Sequence, residues 1–187
     1  MLHPRIFGPA TLALALLPSC ARPAPPKAAP PDAPKPAPND ATFARSVDEF
    51  FDAEFAFNPS SATSTGFHDR DRVLEDRSAA HLTARVAELK GFRDRFAALD
   101  LSRLGPDDAI DAEALKNQTN AELLDMETRA LWQTNPMMYA SLPGEAVHVL
   151  MKRDFAPAAE RLGAVVERLR GVPAIYAAAR ENLRNPP

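Results

Sequence analysis

Cysteine is almost missing from these 187 residues, with Cys20 standing alone. A single thiol excludes an internal disulfide framework and any cysteine-rich zinc site. Glycine is scarce, at 7 residues, and no segment alternates apolar and polar residues in a sustained way, so a Gly-rich β-barrel is excluded. No apolar run reaches the about 20 residues that a membrane-spanning helix needs. A basic surplus is also lacking. The formal net charge is −3, and Arg5, Arg22, Lys27 and Lys35 against Asp32 leave +3 before residue 39, so the remainder carries −6. Such an acidic body lacks the basic face of a nucleic-acid binder, and no nucleic-acid partner is expected. Fixed-period repeats and strict heptads are absent too. What is present is the 45% hydrophobic and 25% charged composition of a globular chain, with many of the 19 prolines gathered in one early segment.

The first residues read as an address. Met1 to Arg5 is short and weakly positive, Ile6 to Leu17 is apolar apart from Pro9, and Leu17-Pro18-Ser19-Cys20 ends the run. A charged start, a short apolar core and small residues at its end make a secretory signal over residues 1–19. The ending resembles the bacterial lipobox, in which an apolar and a small residue precede an obligatory cysteine that is acylated and becomes the first residue. Cys20 is therefore the expected lipidation site. Each buried lipid methylene contributes about 0.8 kcal/mol, so two or more acyl chains anchor stably. Ala21 in place of an aspartate favours the outer membrane, facing the periplasm. Residues 20–38 are rich in proline, alanine and lysine and bury too little to fold, which makes them an extended spacer reaching roughly 50 Å at about 3.1 Å per residue.

From residue 39 to 187 the spacing is helical. Phe43, Val47, Phe50, Phe51 and Phe55 share one face of a helix that Asp40 can cap and Asn58-Pro59 ends. Ser78 caps a second helix, with Leu82, Val86, Leu89, Phe92, Phe96 and Leu99 as its stripe. A third begins at Pro106, with Asp107 and Asp108 favourable at its N-terminus, and extends to Gln133 with Ile110, Ala114, Ala121, Leu124 and Leu131 on its buried side. A short helix covers about Gly144 to Lys152. Another runs from Pro157 to Arg170, burying Leu162, Val165, Val166 and Leu169. Gly171 ends that helix, and Pro173 begins a last one through Ile175, Tyr176 and Leu183. The expected fold class is all-α, an irregular bundle of about six helices.

Chemistry-bearing residues are sparse. A zinc-peptidase helix needs two histidines four apart with an adjacent glutamate, and His3, His68, His81 and His148 do not form that pattern. Glu145 and His148 are three apart, as in di-iron bundles, but those need a second copy and two further glutamates. His68-Asp69-Arg70-Asp71 is a polar loop able to touch a ligand or to serve as a solvated turn. Asp111 and Glu113 are two apart and do not face each other on a helix. Ser60, Ser61 and Ser64 lack a nucleophile elbow. Trp132 and Met137-Met138-Tyr139 read as packing, and Arg153-Asp154 as a helix-end pair. No catalytic, cofactor or metal residue is assigned in this chain.

One resemblance covers most of the body. Asn58-Pro59, Ala62-Thr63, Gly66, His68-Asp69 and Leu74 are followed by Asp108, Ile110-Asp111 and Leu115, then Asn135-Pro136 and Tyr139. Arg153-Asp154, Ala156-Pro157, Arg161-Leu162, Arg168-Leu169, Pro173, Ala179-Arg180, Asn182-Leu183 and Pro186-Pro187 complete the order. The series resembles the N-terminal region of the bacterial domain of unknown function family 885. The resemblance implies a largely helical exported lipoprotein related to zincin-like metallopeptidases. Its His-Glu metal segment lies downstream of the region resembled. Zinc and a peptide substrate then belong to the full-length family form, and this chain is the N-terminal part of a larger family domain with no peptidase activity of its own. The alternative is a non-enzymatic helical lipoprotein that binds a partner in the cell envelope.

Overall fold

The computed structural model describes residues 38–184, with side chains from residue 41 onward. The signal segment, the spacer up to residue 37, His3 and Cys20 lie outside the described residues, whereas Asp40, expected to cap the first helix, falls inside it because the helix already begins at Pro38. Among those described, every regular element is helical, so the chain is all-α. No described helix is long and apolar enough to cross a membrane.

Helix α1 spans Pro38–Phe57 and, after Asn58, α2 spans Pro59–Thr65. Asn58-Pro59 was expected only to end a helix. Proline also starts one well, because its missing N–H falls where a helix has no partner for it. Gly66 closes α2 in the left-handed region at φ 100°, where a side chain would be strained. Helix α3, Ala79–Ala97, begins as expected at Ser78, whose hydroxyl accepts the His81 N–H at 3.3 Å. Helix α4, Pro106–Leu123, starts as expected but does not reach Gln133. It passes into a π-helical turn at Leu124–Thr128, and Ala130 then takes a positive φ of 44°. Short helices α5 (Leu131–Thr134) and α6 (Met137–Ala140) lead into α7, Leu142–Lys152.

The largest correction concerns the end of the chain. The two helices expected around Gly171 and Pro173 are one helix, α8, over Ala158–Asn182. Gly171 is not a cap. A Cβ there would lie 3.0 Å from Leu74 Cδ2, so glycine lets the 66–78 segment approach the helix. Of the residues expected on the buried sides of two helices, Val165 is buried but most of the others are not. Ile110, Leu124, Leu162, Val166 and Leu169 are exposed, as are Ala114 and Ala121. The buried faces instead carry Ala112, Thr119 and Leu123 on α4, and Arg161, Ala164, Val165, Arg168, Ile175, Ala178, Ala179 and Asn182 on α8. Polar groups turn inward because they find hydrogen-bond partners there, which outweighs the loss of hydration.

Aromatic packing holds the first half. Phe50 meets Phe92 edge to face at 5.2 Å and joins Phe96 in a cluster between α1 and α3. Phe57, Leu82, Leu89, Leu123 and Met126 continue that core toward α4. Full burial of such side chains contributes about 1.5–3 kcal/mol each. Phe51, expected in the core, is exposed, while Phe55 is half-buried and packs on Phe67 at 4.9 Å. In the second half Tyr139, Leu142, Ile175 and Ala179 form one cluster and Leu150, Ala164 and Val165 another. Helix α2 and the 66–78 segment join the halves.

The two interior glycines give opposite expectations. Gly91 in α3 has open space around the position of a Cβ, so Gly91→Ala is expected to stabilise by up to about 1 kcal/mol through helix propensity. Gly171→Ala meets Leu74 and is expected to lose about 1–3 kcal/mol to overpacking. Urea denaturation of both variants checks this, and the reverse order contradicts it.

Candidate functional site

Residues 66–78 contain no helix, and side chains hold the segment in place. Glu75 Oε1 accepts the Ser60 N–H at 2.9 Å, and Asp71 Oδ1 accepts the Thr63 hydroxyl at 2.7 Å. Arg77 Nη2 donates to Asn58 Oδ1 at 2.6 Å and Nη1 to the Phe57 carbonyl at 3.5 Å. Each bond ties the segment to the α1–α2 junction. Glu75 and Arg77 are buried, so these are interior bonds rather than solvated turns.

Behind the segment, the Arg168 side chain is fully buried. Its Nη1 donates to the Ala146 carbonyl at 2.7 Å and to Ser60 Oγ at 3.3 Å. Its Nη2 donates to Thr63 Oγ1 at 2.7 Å and to the Pro59 carbonyl at 3.5 Å. Thr63 passes the interaction on to Asp71, whose Oδ2 lies 3.1 Å from His68 Nδ1. Burial lowers the Arg168 pKa, while the charges of Glu75 and Asp71 oppose that shift. Burial lowers Arg77 as well, with Glu75 the first charge opposing it. Glu75 therefore acts on both guanidiniums. Its Oε2 and the two Nε atoms of Arg77 and Arg168 make no hydrogen bond.

Several residues singled out in the sequence meet on this face. His68 stacks on Phe155 with centroids 3.7 Å apart. Its Nδ1 faces the Asp71 carboxylate at 3.1 Å. His68, His148 and Ser64 line one small cavity of about 80 Å³. Ser60, Ser61, Ser64, Glu145 and His148 line a shallower one of about 400 Å³. Asp69 borders a third of about 150 Å³ together with Glu160 and Arg161. The arrangement brings two imidazoles and a serine to one cavity, yet among the described residues no serine hydroxyl hydrogen-bonds to either histidine. Nor does any group of three or more His, Cys, Asp or Glu form a metal-binding set there. These residues do not fit zinc.

The family model described as "Bacterial protein of unknown function (DUF885)" matches residues 59–186, from the start of α2 to beyond the end of α8. The chain belongs to the DUF885 family. A solved structure titled as that of a "putative lipoprotein of unknown function" from Shewanella oneidensis is similar to it, at 28% identity and a TM-score of 0.69. The match covers 77% of this chain and 26% of that one, so the chain spans about a quarter of that protein's length. The comparison with curated proteins found no match.

Within this DUF885 chain the other sequence candidates stay apart. Asp111 is exposed, and Glu113 pairs with Lys116 at 2.6 Å. His81 stacks on Phe57 at 5.3 Å. Asp154 pairs with buried Arg161 at 2.6 Å. Met137 is exposed, whereas Trp132 donates its indole N–H to the Met126 carbonyl at 3.0 Å. Glu75, Arg77 and Arg85 were not singled out from the sequence, and Arg161 and Arg168 entered only through the resemblance, with no interior role. One signal was available for Arg85, which sits between Leu82 and Leu89 at the stripe's own spacing of three and four. It bonds Glu122 at 2.9 Å and Glu88 at 2.9 Å, and also pairs with Glu54. Burial opposes its charge, but the hydrogen bonds and charge of Glu122, with Glu54 and Glu88, outweigh burial and raise its pKa.

Tyr139 completes the polar interior. Its hydroxyl donates to the Trp132 carbonyl at 2.6 Å and accepts from Asn182 Nδ2 at 3.1 Å. Asn182 Nδ2 also donates to the Arg77 carbonyl at 2.8 Å. Burial raises the phenol pKa, with Asn182 and Arg77 opposing. The folded phenol thus holds its proton more tightly than the unfolded one. Its stabilising contribution is present below pH about 10 and is lost as pH rises through the raised folded value. Tyr139→Phe is therefore expected to be less stable than wild type near neutral pH by about 1 kcal/mol. It is also expected to lose less stability between pH 8 and pH 11. Equal alkaline losses in urea denaturation would contradict this.

Proposed function

We propose that this chain is the anchor, spacer and N-terminal helical wall of an exported DUF885 lipoprotein, held at the outer membrane through acylated Cys20 and facing the periplasm. The observation that carries the wall reading is α8. One face of the helix is buried in the bundle, while Leu162, Val166, Leu169 and Tyr176 on the other are exposed. Their spacing of four, three and seven keeps them on one stripe. A helix apolar on two sides suits an interior position in a larger assembly. The chain's span of about a quarter of its solved relative agrees with such an assembly. The lipoprotein description of that relative supports the anchor, beside the Leu17-Pro18-Ser19-Cys20 ending.

In this reading zinc-dependent peptide hydrolysis belongs to the larger DUF885 architecture. The residues described here position and enclose rather than cleave. The second reading is a non-enzymatic lipoprotein whose α8 stripe receives an envelope partner. Peptide hydrolysis by the purified chain contradicts both.

The anchor is tested by fractionating cells that express wild type and Cys20→Ser. The wild type is expected in the membrane fraction and the variant in the soluble periplasmic fraction. Membrane retention of the variant would sink the lipid anchor.

A further inference from the structure

A cleft of about 550 Å³ lies apart from the His68 face, walled by α1, the end of α4 with its π-helical turn, α5 and α6. That size is in the range of pockets that enclose small organic ligands. Phe57, Met126, Leu131 and Trp132 supply apolar lining. The Trp132 N–H is already donated to the Met126 carbonyl, so the indole offers a ligand its carbon surface and π-system, to which cations are attracted. The wall is irregular backbone: the π-helical turn is followed by Ala130 at φ 44°. A non-glycine residue there costs on the order of 1–3 kcal/mol, and such strain concentrates at binding sites.

Charge selects the occupant. Glu54, Glu122, Asp125 and Arg77 line the cleft. Arg85, buried behind it, is shared by Glu54, Glu88 and Glu122. Asp125 is paired with Arg129, and Arg77 is acted on first by Glu75. With Arg168 included, on which Glu75 also acts, five carboxylates stand against four guanidiniums, a surplus of one negative charge. The Glu54 and Glu122 side chains remain 22% and 18% exposed, within reach of a ligand.

The geometry points to this cleft as a binding site for an apolar organic cation, an ammonium or guanidinium on a hydrocarbon or aromatic frame. The cation faces Glu54 and Glu122, and the frame lies against Trp132 and Met126. This inference does not depend on the anchor or on peptidase chemistry.

Trp132 is the chain's single tryptophan and lines the cleft, so its fluorescence reports binding directly. The full chain is titrated with 4-phenylbutylamine, 4-phenylbutanol and 4-phenylbutyrate. A saturable change is expected with the amine, at least about ten-fold weaker affinity with the alcohol, and none with the carboxylate. A ten-fold difference corresponds to about 1.4 kcal/mol. N-acetyl-Phe-Arg-amide runs beside them. Tighter binding than the amine assigns the cation to a peptide side chain and weaker binding to a free amine, and either result supports the site. Ala121 is an exposed α4 position on the cleft. Ala121→Phe is expected to abolish the amine response with an unchanged circular dichroism spectrum, and Asp125→Asn to weaken it several-fold. Equal responses to all three charge types, no saturable response to the amine, or a response unaltered in both variants overturns the assignment.

Discussion

Arg168 brings a guanidinium into the bundle with no solvent exposure and no direct carboxylate bond, and the surrounding backbone is arranged to receive its donors. A guanidinium carries five N–H groups in a fixed fork and cannot deprotonate under ordinary conditions. Its fork is met by the Pro59 and Ala146 carbonyls and the Ser60 and Thr63 hydroxyls. These groups belong to α2 and α7, while Arg168 belongs to α8. One side chain therefore fixes three helices relative to one another. Thr63 extends the constraint to Asp71, and Asp71 to His68. Arg168 thus reaches the 66–78 segment through Thr63, beside the direct bonds of Glu75 and Arg77 to the α1–α2 junction.

The aromatic half of the bundle uses a related device. Arg85 enters the α1–α3–α4 core among three carboxylates, with its Cζ 4.9 Å from the Phe57 ring centroid. Arg77 approaches the same ring at 4.6 Å. Non-directional apolar contacts tolerate sliding between helices, whereas forked hydrogen bonds specify one register. This division explains how a chain with short α5 and α6 and an irregular central segment keeps a defined cleft beside Trp132. The strained Ala130 persists because Trp132, anchored to the Met126 carbonyl, holds the turn on its far side.

Helix type and the Ser78 cap were legible in the sequence because both are local. The α3 stripe was legible too, since Leu82, Leu89, Phe92 and Phe96 need only an apolar partner surface. The buried side of α8 was not. Leu162, Val166 and Leu169 form the more apolar stripe, yet the interior takes Arg161 and Arg168, whose partners come from α7 and its following loop, and from α2. Only tertiary placement reveals those acceptors. Gly171 and Pro173 misled for a similar reason: a close approach by Leu74 uses the glycine, and packing along one face carries the helix through the proline. Of the candidate site, His68, Ser64 and His148 were legible as residue types, but not their shared cavity. Glu75 and Arg77 behind that face were not identified at all, and Arg168 entered only as part of the family resemblance, with no role given to it.

The same geometry bears on function within DUF885. The hydrogen-bonded junction between α2, α7 and α8 is consistent with the wall role proposed for this chain, whose α8 carries an exposed apolar stripe. The most direct measurement is the unfolding free energy of Arg168→Met, taken by urea denaturation with helix content as the signal. Methionine removes the donors but leaves the Pro59 and Ala146 carbonyls and the Thr63 hydroxyl in the interior. A loss of about 3–5 kcal/mol is expected, as for removing one partner from a buried charged network. A change within about 0.5 kcal/mol, the range of an ordinary surface substitution, would contradict the central role given to this guanidinium.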